Sequence, residues 1–98
     1  MLTLTNLYKI ICQRRDNPPA PDPSARPSYT ASLFAKGEDE IVKKVGEEAV
    51  EVILAAKSQD NQRLVEEVAD LTYHMLVLLA AHHLLPADIQ AELDRRHH

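Results

Sequence analysis

Two pairs of acidic residues carry the chemistry this chain could do: Glu48-x-x-Glu51 and Glu67-x-x-Asp70. Residues three apart are neighbours on a helix surface, so each pair aims two carboxylates the same way if its segment is helical. Wrapped at about 100° per residue, Ile41, Lys44, Glu48, Glu51 and Ala55 fall on one stripe, with Val45, Ala49, Val52 and Ala56 beside it and Val50 and Leu54 on the far side. In the next segment Glu67, Asp70, Leu71, His74 and Leu78 share a stripe flanked by Leu64, Val68 and Met75, and Val65, Leu76 and Leu79 continue the apolar surface around the back. A solvated helix keeps its acids opposite its apolar face. These acids lie within or against that face.

Packed antiparallel, the two segments bring four carboxylates together. Anions partly withdrawn from water repel one another and lose solvation. A hard divalent cation with oxygen ligands answers both problems, and Mg²⁺ in particular bridges carboxylates to substrate phosphates and can orient a water for attack. The spacing therefore predicts a divalent-cation site made by Glu48, Glu51, Glu67 and Asp70. One such pair on its own is usually a solvated surface; two on consecutive helices, both on the apolar seam, favour the metal. Glu38-Asp39-Glu40 reads as solvated surface, and Glu47 and Glu66 point sideways, Glu47 as a possible auxiliary ligand. Lys44, one turn before Glu48, and Lys36 are placed to meet phosphates, although Lys44 could simply pair with Glu48. His74, one turn after Asp70, is placed to support a ligand carboxylate, and Tyr29 and Tyr73 read as packing residues with polar tips. Di-iron bundles need Glu-x-x-His pairs, and no His lies three residues after a Glu. Neither a His-Glu-x-x-His zinc pattern nor a Gly-rich phosphate loop occurs.

The elements that must hold these residues are helices. Leu4, Leu7, Tyr8 and Ile11 define one face of a first helix, about Leu4 to Arg15. A linker from Asn17 to Pro27 carries five of the six prolines and cannot continue a helix. Its composition suits an extended, mobile connection, so the first helix need not pack closely beside the second. Ser28 caps a short helix, Tyr29 to Lys36, and Gly37 falls where a C-cap or sharp turn belongs. A long helix follows from about Asp39 to Lys57. Asp60 caps the next, about Gln62 to His82, and the short gap between them implies an antiparallel pair. Pro86 suits the first position of a last helix, about Pro86 to Arg96, although Leu85 is a poor N-cap.

Composition agrees. Ninety-eight residues make one small domain, 1–98, with 45% hydrophobic residues but only 4% aromatic ones and two glycines, which argues against an all-β fold. The expected fold is all-α, of four-helix-bundle type. Its long helices are apolar around most of their circumference, more than one small bundle covers, so completion as a homodimer or larger assembly is expected. A net charge of −4 and no basic block longer than a pair disfavour nucleic acid as a partner. No apolar run reaches a membrane span and no signal peptide is visible, and a lone Cys12 suits a reduced, cytoplasmic protein. The closing His97 and His98 are assigned no role.

The ordered segments Ser28–Gly37 (SYTASLFAKG), Lys43–Glu51 (KKVGEEAVE) and Glu66–His74 (EEVADLTYH) resemble the phosphoribosyl-ATP pyrophosphohydrolase family, part of the all-α, MazG-like nucleotide pyrophosphohydrolases. The motif match runs from about Ser28 to Arg96 and leaves the first helix and the linker outside. The resemblance implies that Glu48, Glu51, Glu67 and Asp70 bind metal, that Glu47 assists, and that Lys36, Lys44, Tyr73 and His74 lie in the family's local segments as substrate-binding candidates. It implies Mg²⁺-dependent hydrolysis of phosphoribosyl-ATP to phosphoribosyl-AMP and pyrophosphate, an early step of histidine biosynthesis, by a dimer whose partner could share the site. Broader relatives carry a Lys three residues before the Glu of Glu-x-x-Asp; here that position is Leu64, which weighs against broad nucleotide house-cleaning. Two other readings compete: a pyrophosphohydrolase for another nucleoside triphosphate, and a non-catalytic helical dimer module.

Overall fold

A computed structural model describes residues 1–20 and 28–97. They form five helices: α1 (Leu4–Asp16), α2 (Tyr29–Lys36), α3 (Glu38–Ser58), α4 (Asn61–Ala81) and α5 (Pro86–Arg96). No strand occurs among the described residues, as expected of an all-α chain. Residues 21–27, the greater part of the proline-rich linker, lie outside the described residues.

Local chemistry sets most of the boundaries. The first orphan N–H groups of three helices are met by side-chain oxygens: Thr3 accepts from Asn6 N–H at 3.0 Å, Ser28 from Ala31 N–H at 3.1 Å and Asp60 from Arg63 N–H at 3.2 Å. At α5 the poor cap Leu85 is helped from inside the helix, where the Asp88 carboxylate accepts the Leu85 N–H at 2.7 Å. Gly37 joins α2 to α3 alone. Its φ of 100° and ψ of 175° suit glycine and strain any other residue. Glu38, Asp39 and Glu40 then occupy the first turn of α3, where the helix dipole favours negative charge. Helix α4 ends in a Schellman motif: His83 N–H donates to Ala80 C=O at 3.1 Å and Leu84 N–H to Leu79 C=O at 2.9 Å, with His83 left-handed at φ 56°.

Helices α3 and α4 are joined by Gln59 and Asp60 alone and pack as an antiparallel pair. Across one end of this pair lie α1 and α2. There Tyr8 and Ile11 from α1, Leu33 from α2, Ile41 from α3 and Leu76, Val77 and Ala80 from α4 are buried together. Cys12 is half-buried against this cluster. The Tyr8 hydroxyl donates to the Leu84 carbonyl, Arg15 Nη1 donates to the Ala80 carbonyl at 2.6 Å, and Glu38 pairs with His82. So α1 packs on both α2 and α4, where the linker composition alone left it free. The core also differs from the helical-wheel expectation. It centres on Val77 and on Leu76, which the wheel sets at the back of the acid-bearing stripe, because α1 and α2 cover what the α3–α4 pair alone would leave exposed there.

Candidate metal and phosphate site

Midway along the α3–α4 pair, Glu48 from α3 and Glu67 and Asp70 from α4 each offer a carboxylate oxygen within 4.8 Å of the others. Glu48 and Glu67 are half-buried and Asp70 is exposed. The crowding has an electrostatic signature: Glu67 holds its proton above the usual carboxylate range, first through loss of water and then through repulsion from Asp70, Glu51 and Glu48, with Arg63 opposing. Three carboxylates so placed could hold a metal ion.

Glu51 stands slightly apart. It shares the α3 stripe with Glu48, yet its carboxylate is not within the trio. It pairs instead with Arg63 Nη2 of α4 at 3.6 Å. Helical phase puts Glu48 and Glu51 on one face but does not fix the stagger of α3 along α4, and the stagger sets Glu51 opposite the first turn of α4. The auxiliary candidate Glu47 is taken up by lysines, Lys43 at 3.7 Å and Lys44 at 3.5 Å. Lys44 thus pairs with Glu47 and not with Glu48, and Glu47 and Tyr29 hold its ammonium firmly protonated. Lys36 is exposed in the last turn of α2, and Glu66 accepts from Gln62 on the outer surface.

Next to the acids lies a knot of aromatic residues. His74 is 6% exposed. Its Nδ1 lies 2.7 Å from the Asp70 backbone carbonyl, so it braces the α4 backbone there and does not contact the Asp70 carboxylate as expected. Its Nε2 lies 2.9 Å from the Tyr29 hydroxyl. The Tyr73 hydroxyl bonds Thr30 Oγ1. The three rings stack edge to face or tilted, with Tyr73 and His74 centroids 5.0 Å apart and Tyr29 and Tyr73 6.2 Å apart. Burial, foremost, raises the pKa of both phenols. The first turn of α2 is thereby clamped to α4 beside the acidic cluster.

Two side chains at the site were not singled out by motif or phase. Arg63 is four residues before Glu67 and seven before Asp70, a spacing that puts it on their face and was open to reading. Tyr29 reaches the site only because α2, packed on α3 and α1, brings its first turn beside α4, and no local pattern signals that.

Comparison with known proteins shows the family. A family model described as phosphoribosyl-ATP pyrophosphohydrolase matches residues 4–97. The chain is 52% identical over 93 residues to the phosphoribosyl-ATP pyrophosphatase of Pelotomaculum thermopropionicum, covering 95% of this chain and 89% of that protein. It is 53% identical over 93 residues to the phosphoribosyl-ATP pyrophosphatase of Listeria welshimeri, covering 95% and 84%. It is also 45% identical over 94 residues to the histidine biosynthesis bifunctional protein HisIE of Thermosynechococcus vestitus, covering 96% of this chain and 41% of that longer one. The family match starts at residue 4, so it takes in the first helix and the linker that the motifs left out. The chain belongs to the phosphoribosyl-ATP pyrophosphohydrolase family.

Proposed function

We propose that this chain hydrolyses phosphoribosyl-ATP to phosphoribosyl-AMP and pyrophosphate in histidine biosynthesis, with Mg²⁺ held by Glu48, Glu51, Glu67 and Asp70. The observation that carries the metal site is the convergence of Glu48, Glu67 and Asp70 within 4.8 Å from two helices. Their donor set, all carboxylate oxygens, is the set a hard cation selects. Glu51 completes it, with Arg63 as its counter-ion until the site fills. When bound, the ion supplies charge neutralisation to the triphosphate and to the attack of water on it. The chain's own groups do the rest. Lys44 and Lys36 meet phosphate oxygens, a Glu carboxylate orients the attacking water, and Tyr73 and His74, committed to Thr30 and Tyr29, shape the wall beside them.

We further propose that the enzyme works as a homodimer in the cytoplasm. Val50, Ile53 and Leu54 on α3 and Val65, Val68 and Met75 on α4 are all exposed, an apolar extent that monomers seldom leave to water. The accessible surface is 7280 Å², against roughly 5600 Å² for a folded monomer of this mass. The radius of gyration is 15.1 Å, against about 13 Å for a compact chain of this length. Among the described residues no single helix is long and apolar enough to cross a membrane.

Pyrophosphate release from phosphoribosyl-ATP with and without Mg²⁺ tests the reaction, beside a panel of ordinary nucleoside triphosphates. Preference for an ordinary triphosphate overturns the substrate, and turnover unaffected by chelation overturns the metal. Light scattering at micromolar concentration tests the assembly, and a monomer there contradicts it.

A further inference from the structure

The substrate must be read at its nucleoside end as well as its phosphate end, and the acidic cluster reads only phosphate. The Tyr29–His74 contact supplies a second kind of reader. A backbone carbonyl can only accept, so the His74 nitrogen facing the Asp70 carbonyl, Nδ1, carries the hydrogen. In the neutral imidazole this leaves Nε2 as acceptor, and the Tyr29 hydroxyl must donate to it. That O–H is then committed to the interior. What the Tyr29 oxygen still offers is lone pairs alone, on a residue 49% exposed and close enough to Glu48 and Glu47 for their charges to act on its phenol. Among the described residues Lys44, the cation whose charge acts on this phenol, bonds Glu47 instead, and no other hydrogen bond reaches the Tyr29 oxygen.

We propose that Tyr29 is a substrate-contacting residue whose hydroxyl oxygen, held acceptor-only by His74, accepts a hydrogen bond from a sugar hydroxyl of the substrate. Resting as it does on the reading of the acids as the phosphate-binding end, it assigns a direction to the substrate: triphosphate at Glu48, Glu67 and Asp70, nucleoside toward the first turn of α2. At neutral pH a phosphate ester or anhydride oxygen has no hydrogen to give and is repelled by an oxygen lone pair. A ribose hydroxyl has one. An acceptor-only oxygen therefore discriminates sugar hydroxyls from phosphate groups of the same molecule, and a phenol free to rotate would not.

The test uses the full-length chain, with phosphoribosyl-ATP as substrate and inorganic triphosphate as competing inhibitor. Tyr29→Phe keeps the ring and removes the oxygen. Thr30→Val breaks the other α2–α4 side-chain bond and serves as control for α2 docking. Expected for Tyr29→Phe is a KM for phosphoribosyl-ATP higher by roughly tenfold, a kcat within about twofold of wild type, and an unchanged inhibition constant for inorganic triphosphate, which has no sugar. Thr30→Val, which frees the Tyr73 hydroxyl and leaves the Tyr29 oxygen in place, does not reproduce that split: any change it makes in KM is smaller and is shared by the triphosphate constant. An unchanged KM in Tyr29→Phe overturns the proposal. So does a triphosphate constant that rises with KM, or the same KM change in Thr30→Val, because either makes Tyr29 a strut for the site. Wild-type turnover that survives chelation, with the KM effect present, faults the metal reading and leaves the Tyr29 contact standing.

Discussion

The two ends of the α3–α4 pair are built on opposite terms. At the start of α3 and the end of α4, Ile41, Leu76, Val77 and Ala80 are sealed under α1 and α2 and tied by Arg15, Tyr8 and the Glu38–His82 pair. Toward the other end, among the described residues, only Ala55 is buried, Val50, Ile53, Leu54, Val65 and Val68 face outward, and the acids crowd between. The same two helices thus hold a region the chain satisfies by itself and a region of crowded acids and exposed apolar side chains, where the proposed cation, substrate and second copy would bind. Stability and function have been separated along one helix pair, and the site can carry mutually repelling acids because the other end holds the helices together.

This division can be broken by substitution. Asp70→Asn and, separately, Glu51→Gln should each lower kcat by roughly thousandfold with helicity unchanged by circular dichroism; retained activity in both would sink the site as drawn. At the sealed end Ile41→Ala should cost about 3 kcal/mol in denaturant unfolding, with Mg²⁺ affinity of the folded protein unaffected. A loss of affinity there would mean the two ends are coupled. Glu67 sharpens the contrast through pH. Its carboxyl is pushed up, so the folded protein binds this proton more tightly than the unfolded chain does, and the stabilising contribution is present at low pH and lost as pH rises through the raised value. Without divalent cation, wild type should lose melting temperature relative to Glu67→Gln over that range, and Mg²⁺ should restore it to wild type alone. The smallest effect belongs to the α4–α5 turn. His83 sits left-handed where glycine is usual, and His83→Gly should stabilise by about 1 kcal/mol without changing kcat.

Much of the scaffold could be read from the chain because its determinants are local. The Ser28 cap and Gly37 bound α2 at Tyr29–Lys36, and Pro86 starts α5, as expected. Helix α3 runs one residue beyond its expected limits at each end, to Glu38–Ser58, and α4 starts and ends one residue earlier than expected, at Asn61 and Ala81, because caps rather than wheel periodicity set their limits. What required the tertiary structure was every relation between helices. Phase placed Glu48, Glu67 and Asp70 on facing stripes, but it did not say that Glu51 would meet Arg63, that Lys44 would turn to Glu47, or that His74 would brace a backbone carbonyl. These depend on axial stagger and on the path of α2, which is fixed by contacts far apart in sequence.

The joint between α3 and α4 has a consequence for how this chain can vary in length. Only Gln59 and Asp60 separate the helices, and Asp60 is already spent as the cap of α4. One residue inserted before Asp60 has no slack loop to absorb it. Taken up by the helix, it turns everything beyond by about 100° and slides it about 1.5 Å, which carries Glu67 and Asp70 away from Glu48. An insertion or deletion taken up in this way disturbs the acidic trio even though the hairpin lies on the surface and would look permissive by exposure alone.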